Sequence, residues 1–236
     1  MMQDDIFKRY SRQVFIEEIG VSGQRSIMAA KVLVVGAGGL GSPVIQYLAA
    51  SGIGTLAVAD FDRVELHNLN RQVIHHEAQV GRAKVDSAAD FVARLNSTIR
   101  FIPLQEKITA GNAAALLEGF DIVVDGSDNF TTRYIVNDAC VALGKPLVYG
   151  SIFGFEGQVA VFNYQGSKNL RDLFPEAPAP EDVPNCDANG VLGPLPGIVG
   201  SMMAMQVLKM VAKLPVDTDT LTVIDTYHCR FDRFVF

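Results

Sequence analysis

The chain has 236 residues, a formal net charge of −6, 49% hydrophobic residues, only 19% charged residues and no tryptophan. That length suits one α/β domain with a substantial core, and the negative balance gives no electrostatic basis for binding nucleic acid or an anionic membrane. The three cysteines, Cys140, Cys186 and Cys229, form no CxxC pair, so neither a zinc knuckle nor a disulfide framework can be read from them.

The opening Met1-Met2-Gln3-Asp4-Asp5 is polar and acidic, unlike a signal peptide, and no apolar stretch runs for about 20 residues without Gly, Pro or polar breaks. A cytoplasmic location and no membrane span are expected. Residues 4–30 read as one or two short helices. From Lys31 short apolar strands alternate with amphipathic helices: strands near 31–35, 55–59, 99–103, 121–125 and 146–150, helices near 40–51, 81–96, 109–118 and 130–143. This alternation predicts a doubly wound, Rossmann-like, mostly parallel sheet with its ligand crevice at the carboxyl ends of the strands. Beyond Gly150 the pattern becomes a strand over 156–164, a Pro-rich crossover over 165–190, a Gly- and Met-rich helix over 197–213 and two strands joined by a turn over 220–236. Together these predict one domain over 1–236, with helices at 1–30, a nucleotide-binding core at 31–150 and an antiparallel C-terminal extension within 191–236. The high apolar content points to an oligomer interface.

The most informative stretch is Gly36-Ala37-Gly38-Gly39-Leu40-Gly41, directly after Val32-Leu33-Val34-Val35. Glycines let a backbone turn sharply and approach a ligand, and the following helix offers free N–H groups to a phosphate. The expected ligand contacts here are Gly36, Gly38, Gly39 and Gly41. About twenty residues on, Asp60 ends a second strand, where a carboxylate can take the ribose hydroxyls. The chain therefore binds an adenine nucleotide, and a dinucleotide-dependent oxidoreductase using NAD is one reading of this pattern.

Three further features favour a triphosphate. Asp62, Asn68, Arg71 and Gln72 follow Asp60 in a polar stretch that a redox coenzyme does not require, and Arg71 could grip phosphate oxygens with two parallel hydrogen bonds; a solvated loop is the plainer alternative. Lys84 stands in the first turn of a helix, against the dipole's preference, which a bound anion would relieve. Asp128 and Asn129 follow the strand Val123-Val124-Asp125, where a carboxylate beside phosphates is a natural Mg²⁺ ligand, or alternatively where Ser127 or Asp128 caps the next helix. A non-catalytic ATP-binding scaffold would use many of the same residues.

The set Arg12, Gly36–Gly41, Asp60, Asn68-Leu69-Asn70-Arg71-Gln72, Lys84 and Asp128-Asn129 resembles the ThiF/MoeB/HesA family, bacterial relatives of ubiquitin-activating enzymes. The resemblance runs from about Arg9 to Lys213 and includes Asn185-Cys186-Asp187-Ala188-Asn189-Gly190, similar to the family's cysteine-bearing segment. It implies ATP-dependent adenylation of a small ubiquitin-like sulfur-carrier protein ending in Gly-Gly, with Mg²⁺ held by Asp128. Arg12 would be lent across a homodimer interface. A separate sulfur donor would complete a thiocarboxylate for thiamine, molybdopterin or a related product. Asp60 would fix the ribose, Asn68 would donate to the phosphate, and Cys186 would either serve in sulfur relay or a covalent link with the carrier, or be non-catalytic.

The chain departs from the family where many members carry two zinc-binding CxxC pairs. The first would fall at Asn169-Leu170-Arg171-Asp172, which has no thiols, and the second beyond Phe236. Zinc is not expected, and the 165–190 crossover, lacking that cross-link, is expected to be mobile. Cys140 is expected in the core. A metal site at His228 and Cys229 is not favoured. Phe153 to Phe155 and the methionines of the late helix are candidates for a carrier cradle or dimer seam, or plain core.

Overall fold

A computed structural model describes residues 4–178 and 190–236. Helices α1 (Asp4–Val14) and α2 (Gly20–Ala29) precede β1 (Lys31–Val35), α3 (Gly41–Ser51) and β2 (Thr55–Ala59). Then follow α4 (Lys84–Leu95), β3 (Arg100–Leu104), α5 (Ala113–Leu117), β4 (Ile122–Asp125), α6 (Phe130–Leu143) and β5 (Leu147–Phe153). The C-terminal part holds β6 (Glu156–Phe162), α7 (Leu170–Leu173), α8 (Pro194–Val211), β7 (Thr220–Asp225) and β8 (Arg230–Val235). The strands form one sheet in the order β3-β2-β1-β4-β5-β6-β7-β8. β1 to β5 run parallel, and β6, β7 and β8 add on antiparallel.

The expected Rossmann-like sheet and its antiparallel extension are both present. Each central strand feeds two cores by the alternation of its side chains. Val32 and Val34 face a cluster with Val44, Leu48, Val85, Val199 and Met203, on the side of α3, α4 and α8. Leu33 and Val35 face Leu117, Val136, Cys140 and Phe162, on the side of α5 and α6. Burial on both faces explains the unbroken apolar runs of the parallel strands.

The late helix starts at Pro194, with proline in its first turn, where a missing N–H costs nothing. By length and composition this helix could cross a membrane. It instead lies in the core, where Leu195, Val199, Met203 and Met210 are buried. Met203 and Met210 are therefore packing residues, whereas Met205, Phe153 and Phe155 are exposed.

The crossover is more structured than expected up to residue 178. Asn169 caps α7 by accepting from Arg171 N–H at 2.8 Å, and Asp172 returns a bond to Asn169 N–H at 2.8 Å. Arg171 pairs with Asp138 at 2.7 Å through two nitrogens, and the Tyr134 hydroxyl lies 2.9 Å from the Phe174 carbonyl. The tetrad where the family's CxxC pair would fall is a capped helical turn tied to α6. The rest of the crossover, with Cys186, lies outside the described residues.

Gly41 is required by packing. A Cβ there would lie 2.0 Å from the Gly36 carbonyl oxygen, because α3 starts directly against the end of β1. Gly41→Ala should therefore cost about 1–3 kcal/mol by overpacking, a fall of roughly 3–10 °C in a thermal melt of a chain this size. Cys140 is fully buried, and desolvation pushes its thiol up to about 12. Of the two described thiols, a mild alkylating reagent at pH 8 should label exposed Cys229 and spare Cys140 in the folded protein, as read by peptide mass spectrometry.

Candidate nucleotide site

The sheet order reverses between β1 and β4: β1 leads on to β2 and β3, while β4 and β5 lie on its other side. A crevice opens at such a switch point. It holds a cavity of about 430 Å³ lined by Gly36, Gly38, Gly39, Asp60, Asp62, Arg71, Gln72, Lys84, Asp128 and Asn129. Gly36 has φ +91, and a Cβ there would press on the Gly126 carbonyl at 3.0 Å, so the turns after β1 and β4 meet at the floor.

Asp60 ends β2 and braces this floor. Its Oδ2 accepts from Ala37 N–H at 2.7 Å and its Oδ1 from Asp62 N–H at 2.8 Å. Each oxygen keeps a further lone pair, and the residue still lines the cavity, so a hydroxyl of a ligand can be accepted there. Lys84 is the first residue of α4. Its side chain is 8% exposed and pairs with Asp62 at 3.0 Å. The anion that offsets its position against the helix dipole is thus, in this arrangement, the Asp62 carboxylate.

Arg71 is half-buried and donates to the His67 carbonyl at 3.2 Å and to Asn70 Oδ1 at 3.0 Å. Among the described residues it has no carboxylate partner, so its charge faces the cavity uncompensated. Gln72 is buried beside it, and its Oε1 has no partner among the described residues. Asn129 is the cap of α6, accepting from Thr132 N–H at 2.9 Å. That releases Asp128 from capping. Its carboxylate accepts one bond, from Asn129 Nδ2 at 3.3 Å, and forms no ion pair among the described residues. One free carboxylate in a water-facing cavity beside a phosphate-binding turn is the donor set Mg²⁺ takes together with phosphate oxygens. No group of three or more His, Cys, Asp or Glu side chains arranged for a metal occurs among the described residues.

Three expected site residues stand elsewhere. Asn68 is buried outside the cavity lining; its Oδ1 accepts from Glu65 N–H at 3.0 Å and its Nδ2 lies 3.1 Å from His67 Nε2. In this arrangement it shapes the loop instead of meeting a phosphate. Gly41 packs the helix, as described above. Arg12 is remote within the protomer. The neighbouring Tyr10 hydroxyl accepts from Asn96 at the far end of α4 at 2.8 Å, and a helix of this length puts roughly 18 Å between that end and Lys84.

The structure adds residues the motifs did not single out. Lys107 and Ile108 follow β3, and Phe61 follows β2, with Lys107 Nζ 5.4 Å from the Phe61 ring centroid. Arg133 on α6 is 5% exposed and donates to the Ser127 carbonyl at 3.1 Å and Ser151 Oγ at 3.0 Å. The rule that ligands sit at parallel-strand carboxyl ends could have flagged 61 and 105–108. Arg133 adjoins the Asp128 motif. Beside it Asp125 is fully buried, and desolvation raises its carboxyl above the usual range despite Arg133.

A glycine turn at a switch point, a ribose-competent acid, cations and an unpaired carboxylate define a nucleotide-binding α/β protein. Residues 10–235 match the ThiF family, and the chain belongs to it. It is 50% identical over 210 residues to a protein of Anopheles gambiae named adenylyltransferase and sulfurtransferase MOCS3, covering 89% of this chain and 48% of that one. The Sus scrofa protein of the same name is 47% identical over 234 residues, covering 99% and 51%. The chain thus spans about half the length of these curated relatives. In fold it is similar to Escherichia coli MccB solved with ATP, with TM-score 0.84 and 22% identity, over 96% of this chain and 71% of that one. It is also similar to PaaA, with TM-score 0.84 and 21% identity, over 99% and 74%. Family membership displaces the oxidoreductase reading.

Proposed function

We propose that the chain catalyses adenylyl transfer from ATP to the C-terminal carboxylate of a small ubiquitin-like sulfur-carrier protein ending in Gly-Gly. The observation that carries this reading is that one cavity is lined by Arg71, buried Lys84 and Asp128, of which Arg71 and Asp128 form no ion pair among the described residues. A redox coenzyme needs no such arrangement, and a polyanion that changes charge during reaction does. The name adenylyltransferase carried by the relatives supports the activity, and the MccB structure with ATP supports the fold's fitness for that nucleotide.

In the reaction a carboxylate oxygen of the carrier attacks the α-phosphorus. The C(O)–O–P bond forms, the bond from the α-phosphorus to the pyrophosphate oxygen breaks, and the electron pair leaves on pyrophosphate. No general base is needed, because a carboxylate is already ionised near neutral pH. Two anions must meet, so the work is electrostatic. The turn at Gly38 and Gly39 presents N–H groups at the start of α3, Arg71 and Lys84 offset charge on the phosphates, and Asp60 accepts from the ribose. Phe61 and Ile108 offer apolar surface to the base. When bound through Asp128, Mg²⁺ would supply further charge neutralisation on the phosphates.

A homodimer fits the remoteness of Arg12. Phe15 (67% exposed), Ile16 and Val21 form an apolar surface beside it that a second copy would cover while bringing Arg12 to the neighbouring cavity. The adenylate would then pass to a sulfur donor, leading to a thiocarboxylate for a product of the molybdopterin or thiamine type. Intact-mass spectrometry tests the core of the proposal. A Gly-Gly-terminated carrier incubated with the protein and MgATP should gain one AMP moiety, whereas unmodified carrier beside protein that demonstrably binds ATP would refute it.

A further inference from the structure

The buried histidine behind the glycine turn has no place in the chemistry above, yet it holds the turn in shape. His75 is 6% exposed and lies outside the cavity lining. Its Nε2 is 2.9 Å from the Ala37 carbonyl oxygen, and its Nδ1 is 2.7 Å from Ser87 Oγ on α4, one turn after Lys84. Ala37 is itself fully buried and gives its N–H to Asp60. Both polar atoms of Ala37 are therefore fixed by side chains, one from the end of β2 and one from the loop before α4.

A trans peptide points its C=O and N–H in opposite directions. Tying the Ala37 carbonyl back to His75 therefore turns the Gly38 N–H the other way, and Gly38 lines the cavity while Ala37 and His75 do not. We propose that His75 is a positioning residue for nucleotide binding: donating from Nε2 to Ala37 and joined through Nδ1 to Ser87, it aims the Gly38 amide at the phosphates and couples the glycine turn to the helix that carries Lys84.

The geometry also places one proton of the ring. A carbonyl oxygen only accepts, so His75 Nε2 carries a proton and donates it to Ala37. Burial, aided by the nearby Lys84 charge, lowers the affinity of the ring for a second proton against the opposing pull of the Ala37 bond and Asp60. The Ser87 hydroxyl donates to Gln79 Oε1 at 2.6 Å, and the same oxygen accepts from the His76 N–H at 3.3 Å.

This inference rests on the ATP reading, and wild-type binding of MgATP by calorimetry separates the two. If the wild type does not bind, the ATP reading fails. If it binds, the comparison is between His75→Phe, which keeps a ring and loses both nitrogens, and His75→Gln, whose amide can still donate to Ala37. His75→Phe should raise KM and Kd for ATP about tenfold or more with a smaller change in kcat, and His75→Gln should recover most of that loss. A folded His75→Phe with unchanged ATP affinity, or a folded His75→Gln no better than His75→Phe, overturns it. Should His75→Phe fail to fold, nitrogen-15 NMR of the wild-type imidazole decides: a protonated Nε2 supports the proposal, and an unprotonated Nε2 overturns it.

Discussion

Lys84→Met should lower carrier-dependent adenylation about 100-fold or more while leaving the melting temperature within a few degrees of wild type. The two effects separate because of what the lysine touches. Its ammonium is nearly buried at the cavity wall, but its protein partner Asp62 is half-exposed and can be re-hydrated once the lysine is gone. A surface-screened pair contributes about 1 kcal/mol or less to folding. Under the proposed function the same charge would meet the phosphates of the nucleotide, where a preorganised donor counts for far more than in a surface pair. Initial rates of pyrophosphate release together with a thermal melt check both halves. A large melting loss with unchanged rate would place Lys84 in the scaffold instead.

Asp128→Ala is expected to be the other large loss, on the order of 100–1000-fold in rate, again with little change in stability. Among the described residues the carboxylate accepts a single long hydrogen bond and no ion pair, so the fold loses almost nothing with it. Asp128→Asn keeps the shape and removes the charge. It should show a raised Mg²⁺ requirement, seen as partial recovery of rate when the metal is increased. Equal rates for wild type and Asp128→Asn at limiting Mg²⁺ would remove the metal role from this residue.

Much of this site was legible because the chemistry follows the strand ends. The run Val32–Val35 is apolar throughout because both faces of β1 are covered, and the residues after such a strand fall at the crevice with no further information needed. Helix edges were less legible. The helix expected from 81 begins at Lys84 because Gly81 sits at φ +89, and the one expected over 109–118 shrinks to Ala113–Leu117 because Asn112 Oδ1 folds back to Thr109 N–H at 2.7 Å. Asn68 stands in the expected polar stretch, and its bond from the Glu65 N–H is a local contact that the spacing did not announce. Arg133, Lys107 and His75 act only through contacts made across the fold, and no spacing in the chain announces that His75 meets Ala37. Arg12 enters by resemblance alone, since among the described residues its helix packs at the end of α4 remote from the cavity.

Exchange of labelled pyrophosphate into ATP tests the central claim most directly, because it reports reversible attack on the α-phosphorus with no need for the sulfur step. With Mg²⁺ and a ubiquitin-like carrier ending in Gly-Gly, exchange should appear, and it should vanish when the carrier's terminal carboxylate is blocked as an amide. Exchange that proceeds equally with the blocked carrier would contradict the account, as would ATP binding without exchange across candidate carriers with free carboxylates.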